Sequence, residues 1–248
     1  MCVGPHGGCS MWAVVVKRME ILAIDGIPEV SPGDDLADLI AHACPDLRDG
    51  DCLVVTQKVV SKAEGRLVDI DPDDPLSHKP IVEQESVRVM RRRGELIISE
   101  TKQGFVCANA GIDLSNVARG QAALLPVDSD RSARGIRDRL KARTGVDLAV
   151  VITDTFGRPW RRGVTDVAIG CAGIAAIADL RGSRDALGRE LQVTEVAIVD
   201  EIAAAADLVM GKSSNTAAAV VRGLNPEWFR RGNVVEEIVR DPADDLFR

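Results

Sequence analysis

Leu148-Ala-Val-Val-Ile-Thr-Asp-Thr-Phe-Gly-Arg-Pro-Trp-Arg-Arg-Gly163 is the stretch on which the reading of this chain turns. Leu148–Thr153 is the most apolar strand candidate in the sequence, a short aliphatic run of the kind buried in a sheet. It delivers Asp154 and Thr155 at its C-terminal end, where open α/β sheets place ligand chemistry. A carboxylate beside a hydroxyl is a common way to hold Mg2+ or Mn2+ next to substrate phosphates. Arg158, Arg161 and Arg162 follow closely, and guanidinium groups bind carboxylates or phosphates bidentately. The plainer alternative is a capped strand end followed by surface arginines.

On the N-terminal side, Asp130–Thr144 reads as a helix, with Ser129 or Asp130 as N-cap and Gly145 beyond its C-terminus. Leu96–Ser99 and Phe105–Ala108 read as strands, and Val82–Arg93 as a helix that ends in Arg91-Arg92-Arg93. Asp69–Pro80, rich in aspartate and proline, reads as a surface loop. Leu53–Val55 and Glu20–Ile24 are further strands, and between them Asp34 opens a helix closed by Pro45. On the C-terminal side, Val196–Met210 is an alanine-rich helix and Ala217–Val221 a last buried strand. Short strands alternate irregularly with helices, so the expected fold class is mixed α/β (α+β), not a clean doubly wound sheet. Residues 1–18 are expected to be a disordered leader, with Ala13–Val16 as a strand-like run, and 19–248 the folded unit.

Composition narrows the function. The chain carries 31 basic and 38 acidic residues, a net charge of −7, which argues against a nucleic-acid backbone as partner. Aromatic residues make up 3% with no tyrosine, leaving little to stack on bases. No apolar run approaches the roughly 20 residues that span a bilayer, so no membrane partner and a cytoplasmic location are expected. Six cysteines have no C-x-x-C spacing and read as buried thiols. Three scattered histidines make a zinc site or a Ser-His-Asp triad unsuited to this chain. Chemistry must rest on carboxylates, lysines, arginines and a hard metal.

Two more polar clusters interrupt the apolar elements. Gln57–Arg66 carries Lys58, Lys62, Glu64 and Arg66 just past a buried strand. Its lysines serve either as point charges on phosphates or as blunting charges on an edge strand. Asn109-Ala-Gly-Ile-Asp-Leu-Ser-Asn116 offers Asp113 and Asn116 as hard-oxygen ligands, with Gly111 allowing close backbone approach to a ligand; an Asx-rich turn is the alternative. Gly211-Lys212-Ser213 imitates a P-loop, but the pattern requires Gly where Ala206 stands, and Gly211 follows a helix instead of a strand. Gly211 reads instead as a helix C-cap. Oxygen ligands and cations without histidine suit phosphoryl transfer, where catalysis is mostly positioning and charge neutralisation.

At these clusters the chain resembles the coenzyme F420-0:γ-glutamyl ligase family, from about Ile21 to Leu224. The markers are Gly26-Ile-Pro, Val59-Val-Ser-Lys-Ala-Glu-Gly-Arg66, Asn109 to Asn116, Ile152-Thr-Asp-Thr, Arg161-Arg-Gly and Asp200-Glu-Ile-Ala-Ala204. The resemblance implies a GTP-dependent ligase that phosphorylates the terminal carboxylate of F420-0 and lets L-glutamate displace the phosphate. It implies that Asp113 and Asp154 hold one Mg2+ or Mn2+ and that Thr155 helps hold a second, with K+ a further candidate. Asp113, Asp154 and Lys62 form the expected catalytic set. Ile27, Pro28, Glu29, Val30, Gln57, Lys58, Lys62 and Asn116 are the expected nucleotide contacts, joined by Met210, Gly211, Lys212 and Ser213 of a later loop. The family's architecture implies two interlocked domains and a homodimer.

The sequence departs from the family at Lys212, where several members carry an acidic ligand for the second metal. In this it resembles the actinobacterial branch, in which the ligase is fused to a flavin-binding reductase-like domain. Two rival readings stay open: a non-catalytic nucleotide-binding module of an F420-pathway assembly, and an amide ligase for another acidic metabolite.

Overall fold

The computed structural model describes residues 18–246. The expected leader and the run Ala13–Val16 lie outside the described residues, apart from Arg18. The first half of the chain forms β1 (Glu20–Ile24), α1 (Leu36–Ala43), β2 (Cys52–Thr56), α2 (Gln57–Ala63), β3 (Leu67–Asp69), α3 (Lys79–Glu85), β4 (Ser86–Arg93), β5 (Leu96–Thr101), β6 (Val106–Ala108) and β7 (Gln121–Ala123). The second half adds α4 (Ser129–Thr144), β8 (Ala149–Arg158), β9 (Arg161–Ala172), β10 (Ala178–Asp179), β11 (Glu195–Val196), α5 (Ile198–Met210), β12 (Ala218–Arg222) and α6 (Val234–Glu237). The architecture is mixed α/β, as the irregular alternation predicts.

The core is a five-stranded sheet in the order β1-β12-β2-β8-β9. Only β2 and β8 run parallel; the other neighbours are antiparallel. Ala149, Val150, Val151 and Ile152 are all 0% exposed, so both faces of the sheet's centre are covered. α5 packs across β1, β12, β2, β8 and β9, and α4 packs against β8 and β9 with α1 on its flank. A second, smaller apolar cluster of Val82, Ile97 and Ala110 lies beneath the three-stranded sheet β4-β5-β6.

Strand directions bring one end of the main sheet together. The parallel register sets Thr56 beside Thr153, so α2 begins next to Asp154. β12 runs the other way and starts at this end, Ala218 facing both Val55 and Ile24. Thr56 donates its amide to Ala217 O at 2.9 Å, tying the incoming loop to the outgoing helix. Loops 25–30, 211–217 and the start of α2 therefore converge on the middle of β8.

Several expectations need correction. The helix expected over Val82–Arg93 stops at Glu85, and Ser86–Arg93 is strand β4, paired antiparallel with β5. A turn with Gly94 at φ 56° joins the two strands, and cross-strand pairing outweighs the apparent helical spacing. Its arginines do not cap a helix dipole; Arg88 and Arg92 pair instead with Glu100 and Glu83. Gln57–Ala63 is a helix, not a lysine-blunted edge strand. β8 does not end at Asp154 but runs on to Arg158 and folds back as the long β9, which the run of arginines concealed. The caps of α1 and α4 are Asp35, one residue after the expected Asp34, and Asp128, one residue before Ser129 and two before Asp130.

Candidate active site

The convergence leaves a cavity of about 540 Å³ whose walls include Ile27–Val30, Gln57, Lys58, Lys62, Asp113, Asn116, Thr153–Thr155, Asp166, Asp207, Met210–Lys212 and Thr216. Larger depressions of about 800 and 920 Å³ lie elsewhere, but neither is lined by any of the predicted site residues. Every predicted contact reaches the 540 Å³ cavity except Ser213, which is exposed in the turn beside it. Arg158, Arg161 and Arg162 are not brought to it either. They sit exposed at the far end of the β8–β9 hairpin, where Arg158 donates to Arg162 O at 3.2 Å.

The loop before β7 presents Asp113. Asn109, Ala110 and Gly111 all take positive φ there. A Cβ on Gly111 would stand 2.7 Å from Leu125 Cγ, so the close approach that needs glycine is to the chain's own core and not to a ligand. Asp113 Oδ1 accepts from Ser115 N at 2.7 Å, the Asx turn of the plainer reading, while Oδ2 lies 2.9 Å from Lys58 Nζ. The plainer Asx-turn reading is therefore realised at Asp113, whose other oxygen is held by Lys58. Burial pushes the Asp113 carboxyl up, but the Lys58 ammonium and the Ser115 amide outweigh it and hold it below the usual range.

Asp154 faces the same space from β8. Its Oδ1 accepts from Thr155 N at 2.8 Å, and Lys58 lies close enough to favour the charged form. Burial, followed by the nearby Asp113 and Asp166 carboxylates, still raises the Asp154 carboxyl to about 7. Burial and like charge therefore outweigh the single nearby ammonium at this carboxyl.

The lysines come from α2 and the turn after α5. Lys58 Nζ also donates to Ser115 Oγ at 2.8 Å. Lys62, 6% exposed, runs its stem along the core and pairs at its tip with Glu29. Gln57 is buried and donates to Ser61 Oγ and Leu124 O, leaving Oε1 without a hydrogen-bond partner.

Asp166, Asp207 and Thr153 escaped the sequence reading. Asp166 is the one carboxylate in the apolar run Val164–Ala172, and that interruption of a strand pattern was the available signal. Its side chain is 3% exposed and accepts from Thr153 Oγ1 at 3.1 Å, Thr155 Oγ1 at 2.6 Å and Lys212 Nζ at 2.8 Å. Burial works against the Lys212 charge, yet Asp166 and Asp207 outweigh it and hold the ammonium's pKa above its ordinary value. Among the described residues no three His, Cys, Asp or Glu side chains form a ready-made metal cluster.

Other marker residues serve the frame. Asp200, at the start of α5, accepts from Ala168 N at 2.9 Å and pins the helix to β9 two residues from Asp166. Arg66 donates to Leu125 O at 3.0 Å and to Glu85 at 3.1 Å. Cys44, Cys52, Cys107 and Cys171 are free, and burial raises the Cys107 thiol to about 12, as expected of inert thiols.

The family model for F420-0:Gamma-glutamyl ligase matches residues 26–223, which contain every element of this site. The chain belongs to the F420-0:gamma-glutamyl ligase family. A relative from Methanopyrus kandleri, named coenzyme F420:L-glutamate ligase, is 44% identical over 247 residues, covering 92% of this chain and 98% of its own. Relatives of the same name from Methanothermobacter thermautotrophicus and Archaeoglobus fulgidus are 41% and 42% identical, each covering 93% of this chain and 99% and 97% of their own. Against this family background some marker motifs line the cavity, some, such as Asp200 and Arg66, hold its walls, and Arg161-Arg-Gly163 lies away from it at the hairpin tip.

Proposed function

We propose that this protein is a ligase of coenzyme F420 biosynthesis that joins L-glutamate to F420-0, using GTP and a divalent cation, as a cytoplasmic homodimer. The observation that carries the reading is the meeting of Asp113 and Asp154 with Lys58, Lys62 and Lys212 in one cavity. Carboxylates and ammonium groups without histidine are the inventory of phosphate chemistry.

The donor set suits Mg2+ or Mn2+. Two hard carboxylates lie near each other, and burial together with the neighbouring carboxylates raises one of them, Asp154, to about 7. Asp113 and Asp154 would hold the divalent ion, which would supply neutralisation of phosphate charge there. Lys58, now 2.9 Å from Asp113, is free to turn toward a phosphate once a stronger cation takes the carboxylate. Lys62, one turn further along α2 and paired with Glu29, adds a second charge, and Ile27–Val30 supply backbone and apolar contacts for the nucleotide. In the reaction, a carboxylate oxygen of F420-0 attacks the terminal phosphorus and GDP leaves. The glutamate nitrogen then attacks the acyl carbon, loses a proton, and phosphate departs. The site's task is to hold these groups in line and exclude water.

Incubating the protein with F420-0, GTP, L-glutamate and Mn2+ and following the product by mass spectrometry tests this. Glutamyl addition to F420-0, and in further rounds to the product F420-1, is expected with one GDP released per glutamate, with ATP and other carboxylates as comparison substrates. Folded protein that makes no product sinks the reading; GTP binding without GDP release would favour a non-catalytic module.

A further inference from the structure

The turn after α5 places a positive charge of the chain's own inside the cavity. Lys212 Nζ lies 2.8 Å from Asp166 Oδ1 and 3.2 Å from Asp207 Oδ1, and also donates to Thr155 Oγ1. An ammonium has three protons, and here three oxygens from β8, β9 and α5 receive them. The cradle is built, not incidental: Asp166 is nearly fully buried and is itself fixed by the hydroxyls of Thr153 and Thr155. Two carboxylates and a hydroxyl converging on one point would otherwise be a hard-cation donor set. The Asp113–Asp154 pair is less enclosed: Lys58 rests on Asp113 at 2.9 Å, but among the described residues Asp154 keeps only the amide of Thr155 as a hydrogen-bond partner and has no ammonium seated on it.

We propose that Lys212 is the resident second cation of this site: its ammonium fills the Thr155–Asp166–Asp207 oxygen cradle, so that one divalent ion, at Asp113 and Asp154, completes the centre. The proposal rests on the reading above that a divalent ion and phosphates share this cavity. Its three protons are spent on the cradle, so Lys212 acts as a fixed charge and not as a direct hydrogen-bond donor to phosphate. A covalently tethered cation needs no capture from solution and cannot leave with the product. It also cannot be exchanged or removed by chelation, which sets this site apart from a two-ion arrangement.

The test is the number of Mn2+ ions bound per chain in the presence of GDP, read by electron paramagnetic resonance and calorimetry rather than turnover. Wild type should bind one. Lys212→Glu should bind two, because a new carboxylate joins an emptied oxygen cradle, and Lys212→Met should gain a second, weaker Mn2+. Two ions in wild type would overturn the proposal while leaving the ligase reading intact. A single ion in wild type and in both variants would overturn it too, because Lys212 would not be what excludes the second. No Mn2+ in wild type would instead refute the metal-dependent reading on which the proposal stands. The wild-type count and Lys212→Met keep the test decisive even where Lys212→Glu does not fold.

Discussion

Asp154 carries two separable consequences. It lines the cavity and, on the proposed function, holds the divalent ion, so Asp154→Asn should cut turnover by at least about a hundredfold while keeping the fold. A steady-state assay with a circular-dichroism control checks this, and near-normal activity would remove Asp154 from the centre. The second consequence is pH dependence. Asp154 has its carboxyl raised to about 7 in the folded, metal-free protein, against 3.8 for an ordinary aspartate. Between those values the folded state holds a proton that the unfolded chain releases, so this group's contribution to stability falls as pH rises and is lowest above the folded value. Metal-free Asp154→Asn should therefore melt higher than wild type at about pH 8, and the gap should close toward about pH 4. Scanning calorimetry in chelator reads it. Asp154 and Asp113 were legible as residues because acidic groups beside small or apolar neighbours stand out. Asp166 was less so, since the arginines before it masked the strand that carries it.

At the scale of elements, the frame depends on contacts with little slack. A Cβ on Gly170 in β9 would stand 2.3 Å from Ser129 C and 2.4 Å from its O, at the start of α4. Those are backbone atoms that cannot swing aside, so Gly170→Ala should cost about 3 kcal/mol or more. Denaturant titration measures the loss, and an unchanged midpoint would mean that β9 and α4 are not packed this closely. At the sheet end away from the cavity, Arg222 of β12 grips the fully buried Asp51 through Nε at 2.7 Å and Nη2 at 2.8 Å. Asp51→Ala should destabilise by about 1–3 kcal/mol, because it removes both hydrogen bonds to Arg222, which among the described residues keeps only Asp46 as a partner. Under conditions where the variant is folded, its KM should stay near that of wild type. Helix and strand positions with a regular apolar pattern, such as α5 and β12, were readable locally to within two residues. Ser86–Arg93 was not, because its partner strand decides its conformation.

For the whole molecule, the proposed metal site predicts linkage: Mn2+ should raise the melting temperature of wild type and leave Asp154→Asn unmoved, since a ligand bound only by the native state stabilises it. A differential scanning measurement with and without chelator checks this, and equal shifts in both proteins would place the ion elsewhere. The homodimer is tested by light scattering in line with size exclusion, where a mass of one chain would refute it. Among the described residues no helix is long and apolar enough to cross a membrane. What the sequence determined alone was local: the mixed α/β class, most strands and helices, and more than half of the residues that line the cavity. The tertiary structure decided which of these residues meet. Lys212 and Thr155 lie 57 positions apart, and Lys58 meets Asp113 because β7, whose Ala123 bridges to Asp113, packs against α2. Periodicity along a chain reports what each segment buries, while strand order and direction, set by long-range packing, choose the partners of the polar groups left over.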